Sequence, residues 1–480
     1  MAQYIWIYIG CPIIGETISI SFHIYRMMQT STIDDVVEDY RKRPLPQAVP
    51  RELDIKLPKV RKCFTVIGPR RAGKTYFLFQ QMRAFDAEGQ GDRALYVNLD
   101  DDRLHPPLPS DLDAILRKFK ELCPPEPGRP AYLLLDEIPV VKGWERFIRR
   151  VIDTEDVWIY LAGSSSRLLS TEVASSMRGR SLTYTLLPFS FREVLRARGV
   201  SVEGRPTSRE RAALQRHLRD YLRFGGFPEV VLAPDDADRL KALGDFMDAI
   251  LMRDVVERNR IKNMLAVRAL ASHLLTSFGT EFSANKFRNF LASKGVSTGK
   301  STITTFSRHL EDAFAFLFVR RFGYKPRELM WSLPKVYPID TGLATQASGR
   351  PSQDLGRLME CVVAVELLRR RDRNPLLEFY YWKDLHGKEV DFVVREGTSV
   401  VELIQSCYDV EGYGTKDGEL GPLLKASRET GCKRLRVLTW DQEGEERVEG
   451  RKIIYEPLWR WLMEGDGARQ PQSRRPRARH

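Results

Sequence analysis

Between residues 63 and 187, short apolar and β-branched runs alternate with longer stretches whose apolar positions recur at helical spacing. The runs at 63–67, 95–99, 132–135, 157–161 and 182–187 carry apolar residues on both faces, as strands buried in a parallel sheet must. The segments between them, such as 75–85 and 144–152, are long enough to cross over from one parallel strand to the next. The pattern predicts a doubly wound α/β sheet.

Further on the pattern changes. Residues 207–260 read as charged helices, interrupted at Phe224, Gly225, Gly226, Phe227 and Pro228, where paired glycines and a proline demand a turn. A helical linker or lid is expected there. Residues 265–322 read as three amphipathic helices, the later two carrying Phe287, Phe290, Leu291 and Phe306, Leu310, Phe314, followed by a β-rich stretch at 316–322. Helices followed by a strand suggest a winged helix-turn-helix. Its helix at 301–314 would present Lys300, Thr302, Thr305 and Arg308 to duplex DNA. A last α/β unit is predicted from a helix at 356–371 and strands at 377–382, 389–394, 400–406 and 434–439. No internal repeat is apparent. The expected divisions are an N-terminal segment (1–60), the doubly wound sheet (61–206), the linker (207–264), the winged helix (265–345), the last α/β unit (346–465) and a basic tail (466–480).

A chain of 480 residues exceeds one hydrophobic core, which agrees with several units. With 42% hydrophobic and 29% charged residues it has the balance of a soluble globular protein, and no run of 18 apolar residues suggests a membrane partner. The six cysteines include no C-x-x-C pair, so neither a zinc site nor a disulfide framework is suggested, and a reducing cytoplasm is expected. The net charge of +12 favours phosphate-rich partners, although part of it sits in Arg469, Arg474, Arg475, Arg477 and Arg479 of a tail too polar to form a core. The first 26 residues contain an apolar run at 4–9 but lack a basic leader and are broken by Pro12, so a signal peptide is not expected. They read as an upstream misread start before Met27 or Met28, or else as an extra strand or weak membrane contact.

Candidate chemistry concentrates in the first sheet. Gly68, Pro69, Arg70, Arg71, Ala72, Gly73, Lys74 and Thr75 match G-x-x-x-x-G-K-[ST] directly after a predicted strand and before a predicted helix, with Tyr76 next. In such a loop the amides turn inward around an anion, the lysine meets the β- and γ-phosphates of ATP, and the threonine hydroxyl ligates Mg2+. The run Tyr132-Leu133-Leu134-Leu135-Asp136-Glu137 is a buried strand ending in two carboxylates at the sheet edge where open α/β proteins bind ligands. Asp136 is the expected magnesium ligand, with Thr75, and Glu137 the residue that polarises water. A further strand ends in Gly163, Ser164 and Ser165, whose hydroxyls could bond the γ-phosphate or the water. Arg178 and Arg180 follow as candidate charge-stabilising fingers, acting in cis or toward a neighbouring copy in a homo-oligomer.

These residues resemble the prokaryotic AAA+ type ATPases that carry a C-terminal domain of uncharacterised function with a restriction-endonuclease-like core. The likeness covers most of the chain. It rests on the 67–75 loop, Leu135-Asp136-Glu137-Ile138 with Gly143-Trp144-Glu145, Gly163-Ser164-Ser165, Leu187-Pro188-Phe189-Ser190-Phe191, Tyr221 to Glu229, and Arg253-Asp254-Val255-Val256-Glu257-Arg258. It implies an ATPase module, a winged helix and a nuclease-like α/β domain. The P-loop, the winged-helix pattern and the basic balance suggest DNA as the partner, the alternative being a nucleotide-dependent switch or scaffold that binds another protein. Within the last domain Glu360 lies on the opening helix, and Asp391 is the strand acid that the resemblance assigns to a divalent metal. Gln405 stands in place of the second strand acid and Cys407 in place of the lysine, so nuclease activity is not expected, although Lys383 or Lys388 could reach in from another strand.

Overall fold

The computed structural model describes residues 32–163, 177–202, 204–324, 329, 332–348, 354–409 and 415–464, with side chains described outside 415–419. The expectations for residues 1–26, Ser164, Ser165 and the tail 466–480 therefore lie outside the described residues.

A helix at 32–42 (α1) precedes a five-stranded parallel sheet. Its elements in chain order are β1 (Cys63–Ile67), α2 (Lys74–Ala87), β2 (Ala94–Asn98), α3 (Pro109–Leu122), β3 (Ala131–Asp136), α4 (Trp144–Thr154), β4 (Val157–Ala162) and β5 (Ser181–Thr185). The strand order is β2-β3-β4-β1-β5 and every pairing is parallel. Strands buried on both faces explain the unbroken apolar runs. In β1, Cys63 and Ile67 join one cluster while Phe64 and Val66 join the other, because successive side chains point to opposite faces. Helix α4 covers one face with Trp144, Phe147, Ile148, Val151 and Ile152, a helical spacing in which all five are buried. This is the P-loop nucleotide-binding fold that the alternation predicts.

The chain then forms α5 (Phe191–Ala197), α6 (Ser208–Phe224), α7 (Pro228–Leu232) and α8 (Asp236–Ala249), which runs on as a π-helix over Ile250–Glu257. Three helices follow, α9 (Met264–Thr276), α10 (Ala284–Ser293) and α11 (Lys300–Asp312), with an antiparallel hairpin of β6 (Phe316–Val319) and β7 (Lys335–Pro338). Helix α12 (Thr341–Ser348) packs back onto α6, α8 and α9. The last unit contains α13 (Leu355–Arg373), β8 (Leu377–Lys383), β9 (Glu389–Glu396), β10 (Ser399–Ser406), α14 (Thr415–Thr430), β11 (Leu435–Thr439), β12 (Gly444–Val448), β13 (Arg451–Pro457) and α15 (Leu458–Met463). Its mixed sheet has the order β12-β13-β11-β10-β9-β8.

One hydrophobic cluster runs from Leu187 through the linker, the three helices and the hairpin to Leu462. The divisions drawn at 207, 265 and 346 thus mark changes of element type inside a continuous core. The turn at Gly225 and Gly226 is fixed from a distance. Asp340 accepts from Gly226 N at 2.7 Å and Gly342 N at 2.9 Å. Gly225 has φ 74°, and a Cβ there would collide with the Asp340 carboxylate, so only glycine fits. Among the described residues no helix is long and apolar enough to cross a membrane.

Candidate functional site

The loop between β1 and α2 stands at the carboxyl edge of the sheet. Gly68 has φ 147°, and a Cβ there would collide with Leu186 O, so the loop turns tightly against the end of β5. Lys74 is 6% exposed, and its Nζ donates to Gly68 O at 3.0 Å and Pro69 O at 2.7 Å, folding the side chain back across the mouth of the loop. Burial lowers its pKa to about 8, against the raising influence of Glu137, Asp136 and Asp254. A ligand carrying several negative charges would restore the ammonium.

Parallel pairing of β2 with β3 sets Asn98 opposite Asp136, and the strand delivers Asp136 to the loop. Thr75 Oγ1 donates to Asp136 Oδ2 at 2.6 Å, and Tyr96 Oη donates to the same oxygen at 3.1 Å. Burial raises the Asp136 pKa and the adjacent Glu137 adds to the rise, while Thr75, Tyr96 and the Glu137 amide oppose it. Glu137 sits at φ 50°, in the left-handed region, at the junction of β3 with a short 3-10 turn over Ile138–Val140. Such strained non-glycine residues cluster at functional sites. Arg70 pairs with Asp254, Arg71 pairs with Glu229 and lies over the Phe246 ring, and Tyr76 is 48% exposed. Ala72 is buried.

Arg178 and Arg180 are not brought to this site. β5 runs parallel to β1 with Ser181 opposite Cys63, and Cys63 N donates to Arg180 O at 2.9 Å. Both arginines therefore lie at the amino edge of the sheet, a strand length of roughly 15 Å from the phosphate loop. Arg180 instead pairs with Asp153 at 2.8 Å and Arg178 is exposed. The expectation of a finger acting in cis is corrected by strand direction.

Arg51, placed by the sequence in an N-terminal segment without assigned chemistry, belongs to the site. It is 7% exposed and donates to Ala72 O and Leu187 O, each at 2.6 Å, and to Glu193 Oε1 at 3.0 Å. Glu193 in turn closes the capping box with Ser190 at the start of α5. One guanidinium thus ties the phosphate loop to the Leu187–Phe191 segment. No sequence signal marks it.

A second charged cluster lies under the hairpin. Lys335 on β7 is 1% exposed, with Nζ 2.9 Å from Glu360 Oε1, 3.0 Å from Glu389 Oε1 and 3.6 Å from Asp391 Oδ1. Tyr337 Oη donates to Glu360 Oε1 at 2.6 Å. Lys383 approaches Glu389 at 3.5 Å, whereas Lys388 lines the open cavity of about 560 Å³ beside the cluster. Gln405 Oε1 accepts from Asp391 N at 3.3 Å, and Cys407 is buried in the apolar cluster of the last sheet. The lysine that meets these acids comes from the hairpin, which the sequence reading did not foresee.

A glycine-rich loop after β1, a threonine hydroxyl and two carboxylates at the end of β3 define an AAA-type P-loop ATPase. A family profile described as "AAA domain" matches residues 60–195, and profiles described as "Domain of unknown function (DUF8612)" and "Domain of unknown function (DUF4143)" match residues 215–354 and 355–404. The uncharacterized protein MJ1544 of Methanocaldococcus jannaschii is 32% identical over 423 residues, 87% of this chain and 91% of its own length. The chain belongs to the same family as that protein. An uncharacterized protein of Haemophilus influenzae is 26% identical over 346 residues, 72% of this chain and 82% of its own. Among solved structures, the Walker-type ATPase PABY2304 of Pyrococcus abyssi superposes with a TM-score of 0.39 at 14% identity, over 67% of this chain and 95% of that one. The Aeropyrum pernix ORC2 protein does so with 0.33 at 14%, over 64% and 89%. A likeness of this degree says nothing about ligand or partner.

Proposed function

We propose that this nucleotide-binding ATPase hydrolyses ATP with magnesium and acts on DNA through the α9–α11 unit and its hairpin, while the last sheet serves as a nuclease-like scaffold that does not cleave. The observation that carries the hydrolytic reading is the 2.6 Å bond from Thr75 to Asp136, which joins the loop hydroxyl and the strand carboxylate beside Lys74. Two hard oxygen donors fit magnesium, which when bound would neutralise charge on the β- and γ-phosphates. In this reading residues 68–76 cradle the triphosphate and Lys74 leaves its carbonyl partners to meet the phosphates. Thr75 and Asp136 hold the metal, and Glu137 orients the attacking water. Ser164 and Ser165 stay candidates for the γ-phosphate, and Arg178 and Arg180 can serve only toward a neighbouring copy in a homo-oligomer.

The DNA reading is supported by exposed cations on the three-helix unit: Lys286, Lys294, Lys300 and Arg308, with Thr302 and Thr305 half-buried beside them. A switch or scaffold that docks a protein is favoured by a different observation. Leu265 is 64% exposed and Phe290 50% exposed on the same unit, and such apolar groups suit a protein surface better than phosphates. ATP turnover by the full chain, with and without duplex DNA at rising salt, separates the two. Salt-sensitive stimulation supports DNA, because phosphate contacts release counterions, whereas indifference to DNA sinks that reading.

The divalent metal that a nuclease would need does not fit the second cluster. The Lys335 ammonium already occupies the place between Glu360, Glu389 and Asp391 where a cation would sit, and Gln405 supplies an amide where a carboxylate is required.

A further inference from the structure

Two sequence signatures, the Phe224–Glu229 turn and the 253–258 segment, have no chemistry in the hydrolytic reading, yet each sends an acid to the phosphate loop. Arg70 donates to Asp254 through Nε at 2.9 Å and Nη2 at 3.1 Å, a two-pronged pair in which Asp254 is 3% exposed. The next loop residue, Arg71, is held at φ 60° and donates to Glu229 Oε2 at 2.6 Å. Asp254 also lies near enough to Lys74 and Glu137 for its charge to act on them. A fixed negative charge from the helical lid thus stands beside the cations that would receive a triphosphate. It is mounted on the π-helical stretch that joins α8 to the three-helix unit, and such stretches recur at functional sites.

We propose that Asp254 is the positioning residue through which the lid senses nucleotide: it holds Arg70 while no γ-phosphate is present and yields Arg70 to the γ-phosphate when ATP binds. The guanidinium fork fits a carboxylate and a phosphate equally well, so the exchange needs only a side-chain rotation. ADP lacks the competing group and leaves the pair intact. Once Arg70 departs, Asp254 becomes a buried, uncompensated charge beside a phosphate, which drives the 250–257 stretch away from the loop. The inference rests on the ATPase reading and assigns that site a nucleotide-state output.

The test uses the full chain, a non-hydrolysable ATP analogue and ADP, with affinities from calorimetry and backbone hydrogen exchange at 250–258. In the native protein the analogue should raise exchange in that stretch and ADP should not. Asp254→Asn should bind the analogue about tenfold tighter or more, with ADP affinity changed less than about twofold. Arg70→Gln should lose the preference for the analogue and the exchange response. The proposal is overturned if Asp254→Asn leaves analogue affinity unchanged or shifts both nucleotides equally. Should Asp254→Asn fail to fold, the partly exposed Arg70 site decides: an exchange response that persists in Arg70→Gln, or is absent from the native chain, also overturns it. Nucleotide binding that is absent in the native chain, or indifferent to Lys74→Ala, would instead sink the ATPase reading itself.

Discussion

Replacing Lys335 by methionine keeps the length of the stem and deletes the charge that three carboxylates share. In the native chain, burial works against the ammonium, but Glu360, Asp391 and Glu389 together outweigh it and hold its pKa above the ordinary lysine value. A lysine whose folded pKa is raised contributes its full stability below the unfolded value near 10.4, and loses it only as pH climbs through the folded one. Native stability owed to this group should therefore be flat between about pH 5 and 9. Removing one partner of a buried ionic cluster costs about 3–5 kcal/mol, because the remaining charges stay buried without compensation. That cost falls on the hairpin, which is held to the last unit by Lys335 and Tyr337 through Glu360.

Amide exchange reads it locally. Val336 N donates to Thr280 O and Ile339 N to Ala315 O, so these amides report opening of the hairpin. In Lys335→Met they should exchange about a hundredfold to several thousandfold faster at neutral pH, the equivalent of that energy at 1.4 kcal/mol per decade. Acid should reduce the deficit by protonating the cluster, and millimolar Mn2+ should restore protection to the variant while leaving the native protein unchanged. Native-like protection in Lys335→Met, or a deficit indifferent to pH, would refute the role given to the ammonium. Manganese binding by the native cluster would refute the argument that lysine stands where a metal would go.

At the loop, Lys74→Ala should weaken ATP binding by about a hundredfold or more, whereas Glu137→Gln should bind ATP normally and lose turnover by a similar factor, as phosphate release would show. Normal hydrolysis in Glu137→Gln would move the water-orienting role to another acid. Burial raises the Asp340 pKa to about 6, so the folded state holds the extra proton. Stability should then fall as pH rises from about 4 to 6, by at most about 3 kcal/mol, and Asp340→Asn should flatten that slope in paired denaturation curves. On the three-helix unit, Lys300→Ala with Arg308→Ala should weaken duplex DNA binding by the full chain and reduce its salt slope by about two. An unchanged slope would point to the apolar Leu265 and Phe290 surface instead.

The phosphate site was legible because its chemistry is local. Eight consecutive residues set the loop, and an apolar run ending in Asp136 and Glu137 announces the edge at which they emerge. The cis role offered for Arg178 and Arg180 could have been set aside from the sequence, since residues that precede a parallel strand must lie at the edge opposite a loop that follows its neighbour. Arg51 and Lys335 are a different matter. Arg51 meets Glu193 across 142 residues, and Lys335 meets Glu360 across 25 from a hairpin outside the last sheet. In sequence each is one cation among 76, and only the packing of the continuous core turns it into a partner.

The missed elements follow the same logic. β12 reads Gly444-Glu445-Glu446-Arg447-Val448 and has no apolar face because it is an exposed edge, so neither strand nor helix periodicity marks it. Helix α13 shows the opposite limit, since Leu358 to Arg370 are all buried and a helix apolar on every side loses the one-sided pattern that reveals its contacts. Its buried Glu360, Glu366, Arg369 and Arg370 are the informative positions. Charges are not buried without partners, so four of them on one enclosed helix required matching groups elsewhere in the chain: Lys335, the Arg192 pair and the Pro188 and Trp461 carbonyls. The same requirement joins buried Asp254 of the lid to Arg70 of the phosphate loop, which is why the lid, the hairpin and the last sheet cannot be treated as passengers on the ATPase.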